Sequence, residues 1–395
     1  MTILTCPQTW TEVPAWTLCT SREEFGVLAL PLLSMSAARG LRLRELAEGR
    51  APSADMAGYR VVRHGDLVVN KLSARDGALA VADRDGLVSP AYWVLTLTSS
   101  VHPPFLHHLL RSAPYRAEIS RRSKHMPPAQ FDLSWDQFRT LPIVLPPLQK
   151  QQRIAEFLDQ EVALLDRTTS EHNKLLSLLD ERIDARIGTH ISAALASTSA
   201  QQMSPIKRLL QKLDRPAEAD AQVVTAFRDG QVIARVLRRM DGFTESWTDG
   251  SVVQGVVTGD VVVHGLDGFA GAVGTAESTG VCSPANHVCR LIADGDTDFY
   301  GRLLRVFAVC GYLSLYGGSA RERAVDFRNW ETFARTPIPT VSTREQAEIG
   351  DMIRATRPLK ASVNRLLALL EERKQAVIAA AVTGDCDVTT AKSVA

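Results

Sequence analysis

The chain has 395 residues, of which 45% are hydrophobic and 23% are charged, and its formal net charge is +1. These values are typical of a globular protein with two or three domains, and they neither require nor exclude a nucleic-acid partner. No apolar run reaches the roughly 18 to 20 residues needed to cross a bilayer, and the N-terminus lacks a signal-peptide pattern. We therefore expect a cytoplasmic protein with no membrane contact.

The first part of the chain, residues 1–146, reads as a mixed domain. Short apolar runs at 27–35, 66–70 and 87–98 are broken by Gly, Pro, Asp and Ser, a pattern that predicts strands joined by turns. Between them, the apolar residues of 104–122 recur three or four apart and predict one short helix. This segment is predicted to be an α+β domain.

A long helix is predicted next, over residues 147–197. After Pro147 the sequence contains only one Gly and many strong helix formers as far as about Leu195, and its apolar residues follow a heptad pattern. At about 1.5 Å per residue, such a helix would be on the order of 70 Å long. It cannot bury its whole apolar stripe against one small domain, so we expect a second helical stripe as its partner.

The sequence repeats itself at the scale of a domain. "GDLVVNKL" at 65–72 returns as "GDVVVHGL" at 259–266, and "SPA" at 89–91 returns at 283–285. Later matches are "QQRIAEFL" with "QAEIGDMI" at an offset of 195, and "LLSLLDER" with "LLALLEER" at an offset of 191. The chain is therefore two copies of one unit, here called the first and the second copy.

The second copy is predicted to comprise a mixed domain at 198–340, a second long helix at 341–386 and a C-terminal tail at 387–395. Ser342 followed by Glu345 is a capping-box signature for the start of the helix, and Gly384 is a natural stop. The residues predicted to pack the two helices together are Leu158, Val162, Leu165, Leu176, Leu179, Ile183, Ile353, Val363, Leu367, Leu370 and Ile378.

This layout resembles the specificity subunit of type I restriction-modification systems. The resemblance is carried by "GDLVVNKL", "GLVSPAY", the junction "FRTLPIVLPPLQKQQRIAEFLD" and "LLSLLDERIDARI" in the first copy, and by "LLALLEERKQAVIAAAVTGDCDV" in the second. It implies two target-recognition domains separated by two long helices that pack as an antiparallel coiled coil. It also implies double-stranded DNA with a bipartite asymmetric target as ligand, and two methyltransferase subunits and restriction (translocase) subunits as partners.

No catalytic role is expected for this chain. It contains no G-x-x-x-x-G-K-[ST], H-E-x-x-H or G-x-S-x-G motif, and "SPAY" at 89–92 lacks the features of an amino-methyltransferase motif. "SPAY" is better interpreted as a Ser-Pro turn that leads into a strand, and His102, His107 and His108 as satisfied or solvated side chains. No metal or cofactor is expected in this chain. S-adenosylmethionine, ATP and Mg would belong to the partner subunits.

The candidate DNA-binding residues lie at two places in each copy. One place directly follows the "GDLVV" or "GDVVV" strand, and the other is a basic run at 120–128 or 317–324, predicted to be a loop. Arg and Lys contact both phosphates and guanine edges, although a solvated charged loop is the alternative. The candidates are Asn70, Lys71, Ser73, Arg75, Arg121, Arg122, Lys124, His125, His264, Arg321 and Arg323.

A rival hypothesis belongs to a different functional class. Two similar α+β domains could form a pseudo-symmetric scaffold that binds protein and makes no sequence-specific contact with DNA. A neighbouring gene for an adenine methyltransferase would favour DNA recognition over this alternative.

Overall fold

The computed structural model describes residues 7, 9–26, 29–37, 40–44, 57–126, 130–196, 203–217, 221–238, 253–316, 318–321, 324–386 and 388. The chain divides into two compact units, one comprising Met1–Glu171 with Leu366–Ala395 and the other His172–Arg365. None of the helices in the described ranges combines the length and apolar character of a bilayer-spanning segment.

The first unit contains the first mixed domain. Its strands are β1 (Thr11–Pro14), β2 (Cys19–Ser21), β3 (Leu33–Ser36), β4 (Gly40–Leu43), β5 (Arg60–Val62), β6 (Leu67–Asn70), β7 (Leu79–Val81), β8 (Gly86–Val88), β9 (Tyr92–Leu97), β10 (Lys124–Met126), β11 (Gln130–Asp132) and β12 (Pro142–Leu145). Its helices are α1 (Pro103–Arg111), α2 (Ala113–Arg122) and α3 (Trp135–Arg139), after which α4 (Leu148–Ala196) begins.

The second unit repeats this order. Its strands are β13 (Met203–Pro205), β14 (Leu210–Lys212), β15 (Val224–Ala226), β16 (Val232–Ala234), β17 (Gln254–Val256), β18 (Val261–His264), β19 (Val273–Thr275), β20 (Gly280–Cys282), β21 (Asn286–Leu291), β22 (Gly318–Arg321), β23 (Ala324–Asp326) and β24 (Pro337–Pro339). Its helices are α5 (Thr297–Val309) and α6 (Trp330–Phe333), after which α7 (Thr343–Thr383) begins.

Strand pairing confirms the duplication. The four-stranded antiparallel sheet β2-β9-β6-β7 of the first unit has its counterpart in β14-β21-β18-β19 of the second. The two-stranded pairs β1-β12, β3-β4, β5-β8 and β10-β11 correspond to β13-β24, β15-β16, β17-β20 and β22-β23. The register agrees as well, since Asn70 pairs with Tyr92 and His264 with Asn286. Each copy is therefore the same α+β domain.

The repeated apolar run forms the central strand of each sheet. In β6, Leu67 and Val69 belong to one hydrophobic core and Val68 to another, because alternate side chains point to opposite faces of the sheet. In β18, Val261 and Val263 are likewise separated from Val262. Burial on both faces explains why the run is continuously apolar and does not alternate with polar residues.

Within the first unit, the beginning of α4 packs against the end of α7. Leu158 of α4 and Ile378 of α7 lie in the same hydrophobic core as α1 and β6, and Lys374 donates to Asp166 at 2.6 Å. The residue numbers increase along one helix while they decrease along the other. The two segments are therefore antiparallel, as the resemblance implies.

Within the second unit, the end of α4 packs antiparallel to the beginning of α7. Lys360 donates to Asp180 at 2.5 Å, and His190 lies 3.8 Å from Glu345. Ile183 and Ile349 are both buried in the core of the second mixed domain. The fold class, two α+β domains with two long antiparallel helices, is confirmed.

The predicted packing residues differ in burial. Leu158, Leu165, Ile183, Val363 and Ile378 are buried, whereas Val162, Leu176, Leu179, Ile353, Leu367 and Leu370 are half-buried. Leu158 and Ile378 belong to the core of the first mixed domain, and Ile183 belongs to that of the second. The predicted domain boundaries at 146, 197, 340 and 386 stay a prediction. The bounds of α4 (Leu148–Ala196) and α7 (Thr343–Thr383) are close to those predicted for the two long helices.

The single helix predicted within 104–122 is wrong in one respect, because the structure has two helices there. Residue Ser112 between them is extended, with ψ of 154°, and Pro114 occupies the first turn of α2. The first turn is the part of a helix that accepts proline best, because the N–H that proline lacks would have no partner there, so Pro114 favours the start of a new helix.

The ends of α7 match the sequence signals. Ser342 Oγ accepts from the Glu345 N–H at 3.3 Å and donates to the Glu345 carboxylate at 2.6 Å. Gly384, with φ of +84°, follows the last helical residue. Pro358, where the repeat offset changes, lies inside an uninterrupted helix.

Candidate nucleic-acid interface

A capped turn follows β6 in the first copy. The Asn70 Oδ1 accepts from the Leu72 N–H at 3.2 Å, and the Asn70 N–H donates to the Ala78 carbonyl at 3.0 Å. Such side-chain-to-backbone bonds are what Asn commonly makes in turns. Gly77, with φ of +91°, closes the turn in the left-handed region that favours glycine. The Asn70 amide therefore fixes the path of the chain toward β7.

His264 performs the same task in the second copy. Its Nδ1 accepts from the N–H groups of Leu266 at 3.2 Å and Asp267 at 2.9 Å. Burial lowers the pKa of His264, which keeps the ring neutral and its Nδ1 free to accept. Asn70 and His264 were predicted as DNA-contacting residues. The structure places both of them as the acceptors that order the turn, and their contact with bases stays a prediction.

The start of each central strand carries a buried aspartate that the sequence predictions did not include. Asp66 accepts from Arg22 Nε at 2.6 Å and from the Arg63 N–H at 2.9 Å. Asp260 accepts from Arg215 Nη1 at 2.5 Å and from the Val257 N–H at 2.8 Å. The repeated Gly-Asp pair was the available signal. Its glycines, Gly65 and Gly259, have positive φ, and its aspartates anchor the strand.

A β-hairpin lies beside the capped turn in each copy. The hairpin β10-β11 ends at Asp132, and the next N–H, that of Leu133, donates to the Lys71 carbonyl at 3.1 Å. In the second copy, the Phe327 N–H after β22-β23 donates to the Gly265 carbonyl at 2.8 Å. The two candidate places, about fifty residues apart in sequence, are thus brought together into one surface in each copy.

The basic run of the first copy was predicted to be a loop, and that is wrong. Arg121 and Arg122 form the end of α2, while Lys124 and His125 lie in β10. Helix formation continues to Arg122 because both guanidiniums bind Glu118 one turn earlier, each at 2.6 Å. Hydrogen bonding from Arg121, together with Arg122, holds the pKa of the Glu118 carboxyl below its usual value.

The candidate cations of the first copy differ in how exposed their side chains are and in which protein groups they bind. Arg122 is only 16% exposed at its side chain and also donates to the Gln137 carbonyl and Thr140 Oγ1, so it is committed to the fold. Lys124 is exposed and Lys71 half-buried. Arg75, in the capped turn, lies 3.4 Å from Asp76, and Ser73 opens the short helical turn Ala74–Asp76. Lys71 and Lys124 are the better candidates for contact with DNA.

The second copy presents different chemistry at the same places. Gly265 replaces Lys71 and Phe269 replaces Arg75 at the offset of 194. A Cβ at Gly265 would lie 2.3 Å from the Ala285 carbonyl oxygen, so only glycine fits there. Arg321 is the last residue of β22, whereas Arg323 lies outside the described residues. The two surfaces share a frame and differ in side chains.

One buried glutamine connects each long helix to the domain that precedes it. Gln151 Oε1 accepts from the His102 N–H at 2.8 Å, and its Nε2 donates to the Pro146 carbonyl at 2.9 Å. In the second copy, Gln346 Oε1 accepts from the Asp296 N–H at 3.1 Å, and its Nε2 donates to the Val341 carbonyl at 2.7 Å. These bonds tie the first turn of each long helix to the domain that precedes it.

Two histidines of the first copy, His107 and His108, have protein partners. His108 Nε2 lies 2.8 Å from Asp159 Oδ1, and the Val81 N–H donates to His107 Nδ1 at 3.3 Å. Among the described residues, no three His, Cys, Asp or Glu side chains converge as metal ligands would. "SPAY" forms the predicted turn, since the Ala91 N–H donates to Ser89 Oγ at 3.4 Å immediately before β9.

Comparisons with known proteins identify part of the chain. Residues 64–177 match the family model of the type I restriction modification DNA specificity domain. No curated protein sequence matches the chain significantly. Among solved structures, the HsdS subunit from Thermoanaerobacter tengcongensis is 16% identical, with a TM-score of 0.39, and the match covers 96% of this chain and 98% of that one.

Two further solved structures are similar to the chain. The type I restriction-modification S subunit from M. genitalium is 11% identical, with a TM-score of 0.46 and coverage of 96% of this chain and 98% of that one. A chain from a structural study of complex assembly and conformational transition of the type I R-M system is 16% identical, with a TM-score of 0.46 and coverage of 97% and 100%.

The matched segment contains β6, the capped turn, the hairpin β10-β11 and the first part of α4. The resemblance drawn from the sequence motifs is therefore confirmed over the part of the chain that carries most of them. Residues 64–177 of the chain are therefore similar to the type I restriction modification DNA specificity domain.

Proposed function

We propose that this chain is the DNA-recognition subunit of a type I restriction-modification complex and that it reads a bipartite, asymmetric target. One observation carries the proposal: the fold of the matched specificity domain occurs a second time in the chain, with the same strand pairing and register. Each copy would then read one half of the target. The family match covers residues 64–177 of the first copy, and the duplication would extend the same role to the second.

The chemistry of the two surfaces supports an asymmetric target. At these places the first copy has Lys71 and Lys124, whereas the second copy has Gly265 and Arg321. Sequence is read by side chains at base edges, whereas phosphate contacts fix position on the duplex. Two identical surfaces would read the same half-site twice. Two surfaces with one frame and different side chains would read different half-sites.

The long helices would dock the methyltransferase subunits. The described part of the first unit exposes Leu164 on α4 together with Leu366 and Leu369 on α7. The second unit exposes Leu359 on α7 and Leu175 and Leu178 on α4, which are the same three positions at the repeat offsets of 195 and 191. Large exposed apolar patches mark protein–protein contacts, and the recurrence of the same three exposed leucines in both units supports such a role here. Two equivalent sets would bind two methyltransferase subunits.

Cofactors and catalysis would reside in the partners. S-adenosylmethionine would bind the methyltransferase subunits, and ATP and Mg would serve restriction subunits that join the complex in the cytoplasm. This chain would supply the choice of sequence and the position of each enzyme on one adenine per half-site.

Methylation mapping tests the proposal. The chain is co-expressed with its adenine methyltransferase in a host that lacks other adenine methylation, and the genome is sequenced for methyladenine. We expect one split motif, methylated in both halves, that disappears when the chain is omitted. Methylation that is identical with and without the chain would favour the protein-binding scaffold. An exchange of residues 57–146 for the same segment of a relative should alter only one half of the motif.

A further inference from the structure

One exposed apolar side chain is retained in both capped turns. Across 70–76 and 264–270, the sequences "NKLSARD" and "HGLDGFA" agree at a single position, occupied by Leu72 and Leu266. These leucines are also exposed, at 37% and 42%. A single exposed leucine needs no explanation. The retention of one at the same exposed position, while all six neighbours differ, sets this leucine apart from the rest of the turn.

The structure holds both leucines in the same way. The backbone N–H of each donates to the side chain two residues earlier, that of Leu72 to Asn70 Oδ1 and that of Leu266 to His264 Nδ1, both at 3.2 Å. Two chemically different acceptors thus produce one turn geometry. The hairpin that carries Lys124 or Arg321 is hydrogen-bonded to the same turn through the Lys71 or Gly265 carbonyl. Each leucine therefore lies within the surface proposed to face DNA.

We propose that Leu72 and Leu266 each contact the methyl group of a thymine in their half-site. This proposal rests on the proposed function. Apolar side chains read the thymine methyl in the major groove, and both halves of a target methylated on adenine contain at least one A·T pair. A wedge that unstacks bases must protrude well from its domain. Both leucines keep more than half of their surface covered, which suits contact with one methyl group.

The proposal also gives Asn70 and His264 a defined part. They are positioning residues, since each fixes the backbone N–H of its leucine and acts on DNA through that leucine. An asparagine at 264 would retain an acceptor for the Leu266 N–H and lose the imidazole. Base reading by the imidazole and positioning by its Nδ1 can therefore be separated.

The test uses the assembled complex of this chain with its methyltransferase and a duplex that carries the mapped target. Each thymine is replaced in turn by deoxyuridine, which removes only the methyl group, and binding is measured. We expect one thymine in each half whose replacement weakens binding about four-fold, the effect of about 0.8 kcal/mol for one buried carbon group. Leu72→Ala should abolish that sensitivity in one half and Leu266→Ala in the other.

Matched variants complete the test. Leu43→Ala and Leu237→Ala, at exposed leucines outside the turns, should retain both sensitivities. His264→Asn should retain the sensitivity of the second half and His264→Ala should reduce it. Sensitivities that persist in both turn variants, or that are absent from the wild type, would overturn the leucine proposal while sequence-specific binding remains. Absence of specific binding by the wild-type complex would overturn the proposed function and the leucine contact together.

Discussion

Arg22 and Asp66 form an ion pair with two hydrogen bonds, 2.6 Å from Nε to Oδ2 and 3.0 Å from Nη2 to Oδ1, and Asp66 is almost fully buried. Arg215 and Asp260 repeat the pair in the second copy. Both aspartates also accept the backbone N–H three residues earlier. The Asp of the repeated Gly-Asp motif therefore ties the start of β6 to the segment after β2, and the start of β18 to the segment after β14.

Loss of this pair should destabilise the unit that contains it. Asp66→Asn removes the charge that balances the partly buried Arg22 guanidinium, and breaking such a pair costs about 3 kcal/mol. Asp260→Asn should cost a similar amount in the second unit. The measurement is chemical denaturation followed by hydrogen exchange in each unit. Asp83→Asn is the control, because its pair with Arg84 is exposed to solvent and contributes little to stability. Equal effects of the Asp66 and Asp83 variants would contradict the assignment.

Local sequence patterns predicted much of this fold. Apolar runs between turn residues predicted the central strands, and Ser342 with Glu345 predicted the start of α7. Pro114 also carried the signal for the break between α1 and α2, although the helical spacing around it favoured one helix. These features depend on residues within a few positions of each other, which is the range over which sequence patterns are informative.

The partners of charged residues could not be predicted in the same way. Arg122 looks like a DNA-binding cation in sequence, but its guanidinium is held by Glu118 and Thr140. The ion-pair partner of Asp66, Arg22, lies 44 positions away in the sequence. The Leu133 N–H, which donates to the Lys71 carbonyl, lies 62 positions from it. A sequence gives the charge of a side chain and not the group it contacts. The separation of structural from DNA-facing residues therefore required the tertiary structure.

The buried glutamines Gln151 and Gln346, which the sequence analysis did not single out, also give a testable prediction. Gln151→Leu should leave the buried Pro146 carbonyl and the half-buried His102 N–H unpaired, at a cost of about 1–3 kcal/mol. Hydrogen exchange should show faster exchange of the His102 amide. Gln346→Leu should do the same to the amide of Asp296. Unchanged protection of these amides would show that other acceptors replace the glutamine.

His107 should make the stability of the first unit decrease in acid. Burial, and after it the nearby Arg111 cation, lowers the pKa of His107 from 6.5 to about 3. As pH falls below 6.5, an unfolded chain binds a proton at this position and the folded chain does not, so stability decreases on acidification. The stability that depends on a neutral His107 is fully present above pH 6.5 and is lost progressively toward pH 3.

His107→Asn tests this dependence, because asparagine can accept from the Val81 N–H and does not titrate. Between pH 6 and pH 4, the wild-type free energy of unfolding should fall by roughly 1 kcal/mol per pH unit more than that of the variant. Urea denaturation at several pH values is the measurement. Parallel pH profiles for the two proteins would mean that His107 takes up its proton as readily in the folded chain as in the unfolded one.

The candidate cations predict effects confined to one half-site. Lys71→Ala with Lys124→Ala should weaken binding through the first copy, and Arg321→Ala with Arg323→Ala through the second. Removal of a lysine that binds a phosphate should reduce the salt dependence, by a slope of about 0.9 for each phosphate no longer neutralised, without changing the preferred bases. Removal of an arginine that reads guanine should relax its half of the motif by about 1–3 kcal/mol of discrimination. Titrations on targets mutated in either half separate these outcomes.

The recurring leucines of the long helices predict how the complex assembles. Leu164→Glu with Leu366→Glu should remove one methyltransferase subunit, and Leu175→Glu with Leu178→Glu should remove the other, because a buried unpaired carboxylate opposes docking. These positions are exposed on helices in the free chain, so glutamate should be tolerated there. Light scattering of the purified complexes should give one enzyme per chain for each double variant, two for the wild type and none for the combined variant. The wild-type chain expressed alone should be poorly soluble, and the combined variant more soluble. Retention of two enzymes by both double variants would place the docking sites elsewhere on the chain.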